Sequence, residues 1–123
     1  MKIMIVDDHA EMRRLLKSIV SLSVGDSVEF IECESGEEAI EQYEISNPSC
    51  VLMDIELKRI DGFYTTQKIF KYDSDARVII VTSHSSPSIR SASEELGVFG
   101  FVTKDNLSGI PPLLHTIKQS LSL

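Results

Sequence analysis

Three short runs in this chain are apolar at every position: Ile3–Val6, Cys50–Met53 and Val78–Val81. A strand with one wet face alternates apolar and polar residues. A strand that is apolar throughout must be buried on both faces, which points to a parallel sheet covered by helices on each side. Two weaker strand candidates, Val28–Glu32 and Phe99–Val102, extend the series. The stretches between carry helical spacing: Met12, Leu15, Leu16, Ile19 and Val20; then Ala39, Ile40 and Tyr43; then Phe63, Ile69 and Phe70 within 62–72; a weaker pattern over 87–96; and Leu113, Leu114, Ile117 and Leu121. Ser35 with Glu38 reads as a capping box for the second helix. Pro111 and Pro112 suit the first turn of the last, where a missing N–H costs little. Five βα units joined by right-handed crossovers, (βα)5, give an open, doubly wound, five-stranded parallel α/β sheet.

Composition narrows what such a domain can do. The 123 residues, 42% hydrophobic, suffice for one cored domain. The last helix runs to the end of the sequence, so residues 1–123 are expected to form a single domain with no room for a second. A net charge of -7 disfavours nonspecific binding to nucleic acid or to anionic membranes. No apolar stretch approaches the roughly 20 residues of a membrane span. The apolar opening runs into charge within a few residues, so no secretory signal is read. Cys33 and Cys50 lie far apart and outside metal or redox spacings. They are expected to be buried free thiols in a reducing, cytoplasmic setting.

Ligands of doubly wound sheets bind beyond the carboxyl ends of the strands, near the switch in strand order. The first run ends on Asp7 and Asp8, the third on Asp54, the fourth on Thr82, and the fifth on Thr103 and Lys104. All fall on one sheet edge. Three carboxylates in one crevice repel each other and persist at low cost only around a cation. Oxygen donors of high charge favour a hard ion such as Mg2+, which keeps several waters and pairs with phosphate oxygens. With the Lys104 ammonium and the Thr82 hydroxyl, the set permits phosphoryl transfer, with a carboxylate as attacking group.

The motifs at these ends are VDDH at Val6–His9, MDIEL at Met53–Leu57, DG at Asp61–Gly62, VTS at Val81–Ser83 and FVTKD at Phe101–Asp105. In this order the chain resembles, over essentially its whole length, the receiver domain of two-component response regulators. The resemblance implies a flavodoxin-like strand order of 2-1-3-4-5. It implies a signalling module that catalyses only its own phosphorylation and dephosphorylation, with Asp54 taking the phosphoryl group from a sensor histidine kinase or a histidine phosphotransfer protein. Asp8 would bind Mg2+ directly and Asp7 mostly through water. Glu56 would lend its backbone carbonyl, and Thr82 and Lys104 would contact the phosphoryl oxygens. Phe101 matches the aromatic switch position, and partner binding or homodimerisation would use the face of helix 4, strand 5 and helix 5. Two positions depart from the family pattern: Lys58 and Asp105 stand where proline is common. The DDH opening and Asp105 are similar to the subgroup that usually carries a helix-turn-helix output domain, so the chain is either part of a longer regulator or a stand-alone receiver. No direct nucleic-acid contact by this domain and no membrane contact are expected.

Each residue also has a plainer reading. Asp7 and Asp8 could be an N-cap and a first-turn acid. Asp54 could be a turn residue, Lys104 a solvated lysine and Thr82 a strand-end threonine. His9 is read as a helix-start residue rather than a ligand. Glu56 and His84, each two past a site residue, are read as flanking the entrance, either as gates for a hydrolytic water or as solvated side chains. Three other functions compete. A haloacid dehalogenase-type phosphatase would need a second Asp where Glu56 stands, and a cap domain. A flavodoxin-like FMN carrier would need a Ser/Thr/Gly-rich phosphate loop where the chain has DDHAEM. A pseudo-receiver would not need the full acidic set and Lys104. The fourth helix, within the serine-rich THSSPSIRSASEELG, is expected to be among the less stable elements.

Overall fold

The computed structural model of the chain describes residues 1–121. The order is β1 (Lys2–Val6), α1 (Ala10–Val24), β2 (Glu29–Cys33), α2 (Gly36–Ser46), β3 (Cys50–Met53), α3 (Gly62–Tyr72), β4 (Val78–Thr82), α4 (Pro87–Leu96), β5 (Gly100–Thr103), a short 3-10 turn (Leu107–Gly109) and α5 (Ile110–Leu121). The strands form one parallel sheet in the order β2-β1-β3-β4-β5. The anticipated strands are therefore all present, in the anticipated order. Two are displaced by one residue. β2 reaches Cys33 because β1 offers partners from Lys2↔Glu29 through Val6↔Cys33. β5 starts at Gly100, opposite Ile79, although the Phe99 amide still donates to the Val78 carbonyl at 2.8 Å. The anticipated domain limit at residue 123 lies outside the described residues.

Alternate residues of each strand feed two cores. Ile3, Ile5, Leu52, Ile79, Val81 and Val102 pack against α1 and α5, through Leu16, Val20, Leu114 and Ile117. Met4, Val6, Val51, Met53, Val78 and Ile80 pack on the opposite side with Ala39, Tyr43 and Ile69 from α2 and α3. This two-sided burial is why β1, β3 and β4 lack polar alternation. Cys33 and Cys50 are free, buried thiols, and burial pushes each up to about 12. Such thiols remain protonated and unreactive near neutral pH.

Helix ends follow local chemistry. Ser35 Oγ accepts from the Glu38 amide at 3.1 Å, the backbone half of the expected capping box. Pro111 and Pro112 occupy the first turn of α5. α4 is capped by Ser86 and begins on Pro87, but Ser93 is its one buried residue. So little burial agrees with the expectation of a weakly held helix. Among the described residues no helix is long and apolar enough to cross a membrane.

Candidate functional site

Strand register creates the site. Val6 pairs with Met53 on β3, so Asp7 and Asp54 leave neighbouring strand ends side by side. The Asp54 amide donates to the Val6 carbonyl at 3.0 Å, and the Asp7 amide to the Cys33 carbonyl at 3.1 Å. On the other flank Thr82 pairs with Thr103, and the Lys104 amide donates to the Thr82 carbonyl at 2.7 Å. Lys104 then reaches across the edge. Its Nζ donates to Asp7 Oδ2 at 3.0 Å and lies 3.4 Å from Asp54 Oδ2. Asp7, Asp8, Asp54, Thr82 and Lys104 thus gather at the crevice beside the β1/β3 switch point.

Burial and charge set the electrostatics. Asp7 is 1% exposed and Asp54 3%. Loss of solvent pushes the Asp54 carboxyl above its ordinary value, and the Asp7 charge adds to this, while Lys104 pulls the other way. Burial alone would lower the Lys104 ammonium, but the Asp7 and Asp54 carboxylates hold it above its ordinary value. One ammonium therefore faces two buried carboxylates, with Asp8 beside them, a deficit of positive charge.

The N-cap of α1 is His9, with a first-turn acid at Glu11. The capping reading of Asp7 and Asp8 is thereby displaced. Asp7 Oδ1 instead accepts the His9 amide at 2.9 Å, holding the loop after β1. His9 does begin the helix, as anticipated. Its ring also turns back, with Nδ1 at 2.9 Å from Asp8 Oδ1 and 3.2 Å from Asp7 Oδ1. Asp7, Asp8 and His9 form a cluster that could hold a metal ion. Asp8 Oδ1 is shielded from solvent and makes no hydrogen bond. A desolvated anionic oxygen whose near nitrogen is the exposed His9 ring rather than a fixed donor, beside two further carboxylates, fits a hard divalent cation such as Mg2+.

The loop after Asp54 is shaped by Gly62. A Cβ there would lie 2.1 Å from the Asp54 carbonyl oxygen, so only glycine lets α3 start against this backbone. The Gly62 amide donates to the Ile55 carbonyl at 2.8 Å, and Asp61 Oδ1 caps the helix by accepting the Tyr64 amide at 2.9 Å. These contacts explain the DG pair, and they hold the loop that carries Lys58 without the usual proline. No cis peptide occurs among the described residues, so the chain also passes from Lys104 to Asp105 in the trans form.

At the rim, Glu56 and His84 meet directly: His84 Nε2 lies 2.5 Å from Glu56 Oε1, and Ser83 Oγ donates to the same oxygen at 3.3 Å. They form a linked pair, and both side chains are more than half exposed. The Thr82 hydroxyl accepts the His84 amide at 3.1 Å. Phe101 is half-buried beneath the Arg90 guanidinium of α4, 4.5 Å from the ring centroid.

One contact of the site was not anticipated. Arg13 is buried, and its Nη1 donates to the Asp7 carbonyl at 2.7 Å. The available signal was its spacing: Arg13, Leu16, Val20 and Val24 form the buried stripe of α1, and an arginine on an apolar stripe needs buried acceptors.

Residues 3–112 match the family described as response regulator receiver domain. The chain is 33% identical over 104 residues to the chemotaxis protein CheY of Bacillus subtilis, covering 84% of each. It is 33% identical over 103 residues to the probable transcriptional regulator ycf27 of Porphyridium aerugineum, covering 84% of this chain and 41% of that protein. It therefore spans less than half the length of that relative. A LuxR-family two-component response regulator from an Aurantimonas species superposes with a TM-score of 0.83 at 29% identity, over 98% of this chain and 84% of that one. Sheet order, strand-end chemistry and these matches agree: the chain belongs to the receiver domain family of two-component response regulators.

Proposed function

We propose that this domain accepts a phosphoryl group on Asp54 from the phosphohistidine of a sensor histidine kinase or of a histidine phosphotransfer protein. The observation that carries the reading is the buried Asp54 carboxylate facing Lys104 Nζ at 3.4 Å beside the acidic pair. An Asp54 oxygen attacks phosphorus in line. The P–N bond to the imidazole breaks, its electron pair stays on nitrogen, and an acyl-phosphate P–O bond forms. Lys104 and the Thr82 hydroxyl would hold phosphoryl oxygens. Asp7, Asp8, Asp54 and the Glu56 carbonyl would hold Mg2+. When bound, the ion supplies neutralisation of the charge on the transferring group. Glu56 and His84, paired at the rim, would gate the water that later hydrolyses the acyl phosphate. No external phosphoester is turned over.

The output follows from Thr82. On phosphorylation its hydroxyl leaves the His84 amide for the phosphate, and Phe101 turns inward from beneath Arg90. The face of α4, β5 and α5 is thereby reshaped for partner binding or homodimerisation, and this domain itself makes no nucleic-acid contact. We place the domain in the cytoplasm, in keeping with its free thiols. Hydrogen exchange with Mg2+ and beryllofluoride, a phosphate mimic, tests the switch. Changed protection over residues 83–96 and 99–104 is expected in the wild type and not in Asp54→Ala. Unchanged protection in the wild type contradicts the switch.

A further inference from the structure

The acidic pair is joined by a single peptide, and that peptide is gripped from the side by Arg13. We infer that Arg13 is a positioning residue for the divalent-ion site: its guanidinium fixes the peptide plane between Asp7 and Asp8 and so sets the relative aim of the two carboxylates. The inference rests on the metal-binding reading given above. Three observations support it. The 2.7 Å bond from Nη1 goes to the Asp7 carbonyl, which belongs to the planar unit carrying the Asp8 amide. The same fork is anchored at its far side, with Nε donating to Glu32 Oε1 at 3.0 Å and Nη2 lying 3.6 Å from Glu34 Oε1. Lys17 braces that anchor, donating to Glu32 Oε2 at 2.9 Å. The β1–α1 loop is thus tied by a planar, multi-donor group to the end of β2, which a lysine could not do in the same way.

The sign of the expected effect separates positioning from simple charge. Removing a cation near an acidic site would, through charge alone, tighten Mg2+ binding. Loss of positioning weakens it. Outer groups that orient metal ligands typically contribute about 10–100-fold in affinity.

Titration calorimetry of Mg2+ into the metal-free protein tests this, with circular dichroism checking that each variant is folded. Arg13→Met keeps an apolar stem on the buried stripe, and Arg13→Gln provides a second, polar replacement. Both are expected to weaken Mg2+ binding about tenfold at the low end of that range. Arg13→Lys, with one donor for the Asp7 carbonyl, should recover part of the loss. Lys17→Ala, which removes only the brace and leaves the Asp7 contact in place, should lose less Mg2+ affinity than either Arg13→Met or Arg13→Gln. If Met and Gln variants melt lower but bind Mg2+ with unchanged or higher affinity, Arg13 is structural and the inference falls. If the wild type binds no Mg2+, the metal site itself falls and the role of Arg13 with it.

Discussion

Asp54→Asn is expected to stabilise the metal-free protein at neutral pH and low salt while removing its phosphorylation. Asp54 is buried beside Asp7, and desolvation together with that neighbouring charge raises its carboxyl above the ordinary value of 3.8. A carboxyl raised in the folded state binds protons more readily there than in the unfolded chain. Its contribution to stability is therefore largest below 3.8, falls as pH rises through the folded value, and stays low at neutral pH. Asn removes this penalty and keeps a polar group for the Glu56 amide, which approaches Asp54 Oδ1 at 3.4 Å. Lys104 retains Asp7 as partner. The gain should be about 1 kcal/mol, or about 4 °C in melting temperature for a domain of this size. Mg2+ should raise the melting temperature of the wild type more than NaCl of matched ionic strength, and should do so far less in the variant. Melts of both proteins in the two salts provide the check. An unchanged or lowered metal-free melting temperature would show that Asp54 is not held against repulsion.

Lys104→Met should have the opposite and larger effect. Its ammonium is the cation shared by two buried carboxylates, and the side chain is itself only 16% exposed. Removing one member of a buried ion cluster leaves the others uncompensated, at a cost of about 3 kcal/mol. Met retains the stem packing, so the loss reports charge. The pH dependence follows with a definite sign. Lys104 is held above its ordinary 10.5 by Asp7 and Asp54. Its stabilising contribution is complete below 10.5 and is lost as pH rises through the folded value. Urea denaturation from pH 7 into the alkaline range should show that decline in the wild type and a smaller one in Lys104→Met. Adding Asp54→Asn to Lys104→Met should recover much of the loss, because the two residues share one interaction. Strictly additive single effects would contradict the shared cluster.

Much of this fold is legible in the chain because two-sided burial leaves a direct mark: Ile3–Val6, Cys50–Met53 and Val78–Val81 have no polar alternation to misread. The strand-end residues Asp7, Asp8, Asp54, Thr82 and Lys104 follow from placing chemistry at the carboxyl ends of those runs. What stayed hidden depends on register and side-chain direction. The one-residue shifts of β2 and β5 were set by pairing with β1 and β4, not by local pattern. The His9 ring, anticipated only at the helix start, turns to the acidic pair because the Asp7 side chain folds the loop around its amide. The contact between Glu56 and His84 joins two loops and has no trace in either segment alone. Arg13 was visible as an arginine on an apolar stripe, but its partner, a backbone carbonyl, carries no residue signature.

Everything functional here turns on which atom takes the phosphoryl group. The protein should be incubated with acetyl phosphate and Mg2+, and the adduct trapped and mapped by mass spectrometry in the wild type and in Asp54→Ala. The outcome expected from the buried carboxylate facing Lys104 is a single phosphate on Asp54, cleaved by hydroxylamine as an acyl phosphate is, and absent from the variant. Phosphate on a serine, threonine or histidine, or labelling that survives Asp54→Ala, would contradict it.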